Sequence, residues 1–128
     1  MVEALPVAKD VAGESGLYLM PIEKMIYLEG ISAKKVVAVH TLDDVGYMNG
    51  TIKYWETALN STGYNFKYSF RDILVNLDNV QLLDKFRKNV YFENIVTKNS
   101  KKCPIASGAT FDEFVKVLQS LNPKLNFI

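Results

Sequence analysis

The sequence predicts a mainly β fold, largely antiparallel, with two short peripheral helices. Short apolar runs, several of them β-branched, recur between turns containing Gly, Asp and Asn, which is the pattern of strands. These runs follow one another directly and do not alternate with helices, which argues against a parallel α/β sheet. Helical periodicity is confined to two stretches, near residues 51–59 and 110–121.

Residues 1–16 carry Lys9, Asp10, Gly13, Glu14, Ser15 and Gly16 without periodicity, and are expected to form a flexible tail or linker. Leu17–Met20 reads as the first strand, closed by Pro21, and Pro21–Lys24 as a short turn. Met25–Glu29 reads as a buried strand, 30–35 as a loop, Val36–Thr41 as a strand and Leu42–Gly46 as an Asp/Gly turn. Tyr47–Met48 is a short strand. Thr51–Leu59 is a helix with Ile52, Trp55 and Leu59 on one face, capped by Asn49 or Thr51 and stopped by Gly63.

Tyr64, Phe66, Tyr68 and Phe70 recur with period two. They form either one face of a strand on the core or an exposed stacking or partner surface. Asp72–Asn76, Val80–Leu83 and Val90–Phe92 read as strands, with a turn over 84–89 between the last two. Lys98–Lys102 is a basic loop and Cys103–Ala106 an edge strand. Thr110 and Glu113 are spaced as a capping box for the final helix, whose buried face is Phe114, Val117, Leu118 and Leu121. The domain is expected over 17–121, with 122–128 as a C-terminal tail.

A chain of 128 residues suits one domain, and its 48% apolar and 23% charged content is that of a globular protein. No apolar run is long enough to span a bilayer, and the first residues lack a basic start and apolar core, so neither membrane nor secretory signal is expected. One cysteine, Cys103, allows no internal disulfide, and a cytoplasmic location is expected. The net charge is +1, but residues 32–108 carry +4 while residues 1–31 carry −3. The positive charge therefore lies where the loops are predicted.

Catalytic signals are few. No Gly-rich phosphate loop is present, and His40 is the single histidine, so a His-based metal cluster is excluded. His40 sits in an apolar strand and reads as structural. Cys103 and His40 would be the one nucleophile and base pair, and burial is the commoner fate of a lone cysteine. Asp43-Asp44 and Asp112-Glu113 read as turn and helix-start residues. No enzyme activity, cofactor or small-molecule substrate is expected.

Three stretches resemble the LytTR-type DNA-binding domain of bacterial transcription regulators: Pro21–Glu29, Phe66–Leu77 with its Leu-Val-Asn close, and Cys103–Ser107. Gly50-Thr51-Ile52 and Val90–Phe92 fit the same order, so the resemblance covers roughly residues 17–121. It implies an elongated stack of small antiparallel sheets with short helices, binding duplex DNA through loops in successive major grooves. Most members carry this domain behind a receiver domain, which is not expected within residues 1–16.

The resemblance places Lys35, with Lys34 beside it, and Arg71 in reading loops, with Ser69 in the same segment as Arg71. It places Ser107-Gly108-Ala109 in a third loop, which here has no basic side chain. Arg is the best bidentate reader of guanine, while Lys67, Lys98, Lys101, Lys102 and Ser107 suit phosphate. The expected partner is double-stranded DNA, bound by a homodimer on repeated sites. A competing expectation keeps the scaffold but makes it a protein-interaction module that modulates a related regulator.

Overall fold

The computed structural model describes all residues, Met1–Ile128. Eleven strands and two helices follow in the order β1 (Ala4–Ala8), β2 (Leu17–Pro21), β3 (Tyr27–Ile31), β4 (Val36–His40), β5 (Val45–Asn49), α1 (Ile52–Thr62), β6 (Phe66–Phe70), β7 (Ile73–Asn76), β8 (Leu82–Asp84), β9 (Asn89–Tyr91), β10 (Lys102–Pro104), α2 (Ala109–Leu121) and β11 (Asn126–Phe127). A seven-stranded antiparallel sheet runs β2-β1-β5-β4-β3-β7-β6, and a four-stranded sheet runs β10-β9-β8-β11. The mainly β class with two peripheral helices is the one predicted.

The larger sheet curls. One buried cluster takes side chains from all seven of its strands: Val7, Met20, Leu28, Val37 and Val39, Met48, Phe66 and Leu74, with Leu59 of α1 over them. The segment leading into β1 reaches the segment leading into β6 where the Tyr64 hydroxyl donates to the Val2 carbonyl at 2.6 Å. A second cluster lies between the outer side of β7 and the smaller sheet with α2, and includes Val75, Leu83, Val90, Phe92, Cys103, Phe114 and Leu118. β7 is apolar at consecutive positions because Leu74 faces one core and Val75 the other.

Helix α1 starts as predicted: the Thr51 hydroxyl accepts from the Tyr54 N–H at 3.1 Å, and Gly63 closes it in the left-handed region at φ 112°. Four expectations need correction. Residues 1–16 supply β1, paired with β2 along its length and with β5 at Ala8–Tyr47. Pro6 is tolerated because odd-numbered residues of β1 bond β2, which turns Pro6 towards β5 at a level where no pairing exists. Residues 122–128 supply β11, parallel to β8, and the buried Leu125. The capping box does not form: Gly108 is the N-cap, no side chain caps the helix, and Thr110 lies inside it. Leu121 is 44% exposed, whereas Val115 takes a buried place on α2.

Candidate nucleic-acid interface

Three loops lie side by side at one end of the larger sheet. β3 ends there opposite the start of β7, with Glu29 facing Ile73, and the Gly30 N–H donates to the Asp72 carbonyl at 2.9 Å. β4 begins at the same end, where the Gly50 N–H donates to the Lys35 carbonyl at 3.0 Å. The Ala106 N–H donates to the Ser69 carbonyl at 2.7 Å, which brings Ser107 beside the β6–β7 turn. Backbone hydrogen bonds thus join loops 30–35, 70–72 and 106–108 in a row.

Lys34, Lys35, Arg71 and Ser107 are all exposed on these loops and none forms an ion pair. Lys35 ends a short 3-10 turn in the left-handed region, φ 52°, a conformation that favours glycine. Its carbonyl is thereby turned to the Gly50 N–H. The Arg71 guanidinium lies 5.5 Å from the Phe70 ring centroid, which orients a long side chain without neutralising it.

Other expected contacts are placed elsewhere. Ser69 is wholly buried with an unpartnered hydroxyl, because the register shifts between Tyr68 and Phe70 and sends the extra residue inward. The same shift ends the period-two run: Tyr64 and Tyr68 pack half-buried beside the buried Phe66 on one core, and only Phe70, 36% exposed, leaves it. Lys67 pairs with Glu113 of α2 at 3.3 Å. Lys101 donates to the Thr41 carbonyl at 2.6 Å, past the opposite end of β4. Five-residue strands separate the two ends by about 13 Å. Lys102 is exposed on β10, and Lys98 on the loop before it.

One neighbour of the loops escaped the sequence reading. The Ile105 N–H donates to the Lys88 carbonyl at 2.9 Å, so the β8–β9 turn, with Lys85, Arg87 and Lys88, adjoins the Ser107 loop. Three cations within four residues were a legible signal, hidden by reading the segment only as a turn.

Between the two sheets lies a small polar inclusion. The His40 ring stacks on Tyr27 at 4.2 Å between centroids, with Glu29 at 3.5 Å. Burial, reinforced by Lys101, lowers the His40 pKa, and Glu29 opposes this. Burial, with Cys103 and Glu29 adding, pushes the Tyr27 phenol up to about 12. Burial and Glu29 raise the Cys103 thiol far above its ordinary value, which makes it a poor nucleophile. No group of His, Cys, Asp and Glu is arranged to hold a metal, and no helix is long and apolar enough to cross a membrane. A cleft of about 590 Å³ lies at the far end, lined by Tyr18, Met20, Thr41, Asp43, Asn79 and Phe92.

A curled antiparallel scaffold that presents exposed cations on joined loops defines a class of β-sheet domain suited to a polyanion. The chain belongs to the LytTR family: the model of the LytTr DNA-binding domain matches residues 15–119. Among solved structures, it is similar to the LytTr DNA-binding domain of a Bacillus cereus protein described as a methyl-accepting/DNA response regulator. That likeness has a TM-score of 0.65 at 15% identity and covers 92% of this chain and 97% of the other. At that identity it speaks for the fold. No curated protein matches the chain.

Proposed function

We propose that the chain binds duplex DNA sequence-specifically, as a cytoplasmic bacterial transcription regulator or the DNA-binding domain of one. The observation that carries this is the row of three loops with Lys34, Lys35, Arg71 and Ser107 exposed and unpaired. Arg71 reads a base edge from the mouth of β7, where the strand fixes its backbone. Lys35 reaches a base or a phosphate, while Lys34 and Ser107 hold phosphates and set the register. Lys98 and Lys102 contribute from the flank. Lys67 and Lys101 are engaged within the domain, and Ser69 is buried. Two copies bind on repeated sites.

A second reading, a protein-interaction module that modulates a related regulator, is favoured by the net charge of +1 and the lack of a cation in Ser107-Gly108-Ala109. Selection of bound duplexes from a random pool separates the two. DNA reading predicts an enriched sequence, an affinity that falls steeply with salt, and loss of the preferred sequence in Arg71→Ala. If no duplex is retained at low salt and a stoichiometric protein partner copurifies, the first reading is overturned and the second holds.

A further inference from the structure

The β8–β9 turn carries three cations within four residues, Lys85, Arg87 and Lys88, and an aromatic ring stands at its tip. Phe86 is 89% exposed, the most of any phenylalanine, and lies between Lys85 and Arg87. The turn is held firmly. The buried Asp84 accepts the Arg87 N–H at 2.9 Å, and Lys88 takes the left-handed region at φ 56°. The flanking cations are spread apart by rings below them: Lys85 lies 4.6 Å from the Phe127 ring centroid and Lys88 lies 5.3 Å from that of Phe111. Neither they nor Arg87 forms an ion pair.

An exposed phenylalanine on a rigid turn has nothing to bury against in the isolated domain. Packed among cations, it is matched to a surface that is apolar in places and anionic around them. A DNA groove is such a surface, with sugars, thymine methyls and base steps between rows of phosphates. The position agrees: Lys88 is joined through Ile105 and Ala106 to Ser69, the strand end that carries Arg71.

We propose that this turn is a further contact with the same bound duplex, in which Phe86 packs into the groove while Arg87 and Lys88 hold flanking phosphates. This rests on the DNA-binding reading above, and supplies a cation beside the loop 106–108 that lacks one.

The test is fluorescence anisotropy on a duplex recovered by the selection, over a range of KCl, with the full chain. Phe86→Ala is expected to weaken binding about 5- to 100-fold, as for loss of one packed ring, with little change of salt slope. Arg87→Ala/Lys88→Ala is expected to lower the slope of log K against log salt by about 2, at roughly 0.9 per phosphate. Phe86→Ala should melt with the wild type, because the ring is exposed. If the wild type binds and both variants keep its affinity and slope, the turn makes no contact and the proposal fails while DNA binding stands. If the wild type binds no duplex, the underlying reading fails first. If sedimentation shows that Phe86→Ala turns a dimer into a monomer with affinity per domain and slope unchanged, the ring serves self-association and the proposal is overturned.

Discussion

Gly46→Ala tests how tightly the first hairpin is seated on the larger sheet. A Cβ built at Gly46 meets Val7 Cγ2 at 2.7 Å, Tyr18 Oη at 3.0 Å and Val7 Cβ at 3.1 Å. Ordinary contact begins near 3.4 Å, so β1 must retreat by about 0.7 Å. Val7 is fully buried and β-branched, so it has no free rotamer to retreat into. β1 is paired with β5 only at Ala8–Tyr47, so the shift falls on the single bridge that joins the hairpin to the sheet. Overpacking of this kind costs about 1–3 kcal/mol.

At about 2.1 cal/mol/K per residue, unfolding of 128 residues carries about 0.27 kcal/mol/K, and Tm should fall by about 4–11 °C. Val7→Ala removes the nearest atom, so in that background Gly46→Ala should cost at least ~1 kcal/mol less. Calorimetry of the four proteins of this cycle measures both effects. A Gly46→Ala melt within about 1 °C of wild type, or a penalty undiminished by Val7→Ala, would refute the reasoning.

Three further outcomes follow from the buried polar groups. The His40 pKa is lowered in the folded state, and an unfolded histidine titrates near 6.5. Between those values the unfolded chain holds the extra proton. The His40 contribution is therefore complete above about pH 6.5 and declines as pH falls towards the folded value. His40→Gln should flatten Tm between pH 7 and 5.5, and parallel curves for the two proteins would count against it. Asn76 is 1% exposed, donates to the Met25 carbonyl at 2.9 Å and accepts from the Asp78 N–H at 3.3 Å. Asn76→Ala should cost about 1–3 kcal/mol in urea unfolding with an unchanged m-value, and more than Asn79→Ala, because Asn79 is itself only half-buried. Cys103 is 1% exposed, so a thiol reagent should leave it unmodified until the protein unfolds, and prompt labelling of the native protein would contradict the packing.

Elements governed by local chemistry were legible in the sequence. The Thr51 cap, the Ile52–Trp55–Leu59 face and Gly63 define α1 within a few residues, and β3, β4 and β7 declare themselves as apolar runs. What stayed hidden depends on partners distant in the chain. Ala-Leu-Pro-Val-Ala has little strand preference of its own, and becomes β1 because β2 pairs with it throughout and Val7 fills the curled core. Ser69 looks solvent-facing until a register shift turns it inward. Thr110 and Glu113 have capping-box spacing, but Gly108 starts the helix two residues before Thr110. In the site, Lys34, Lys35 and Arg71 share a loop end because β3 and β7 are neighbours. Lys101 is withdrawn because a carbonyl sixty residues away takes its ammonium.

The pairing of β1 and β11 bears on how the domain should be handled. Trimming to the matched core, residues 15–119, would remove β1 and β11 together. β2 would then have no neighbour, β5 would present a raw edge, and the places of Val7 and Leu125 would be vacated. Exposed strand edges recruit other chains. A fragment cut at those borders should therefore be prone to aggregation, whereas in the chain from Met1 to Ile128 both strands are covered.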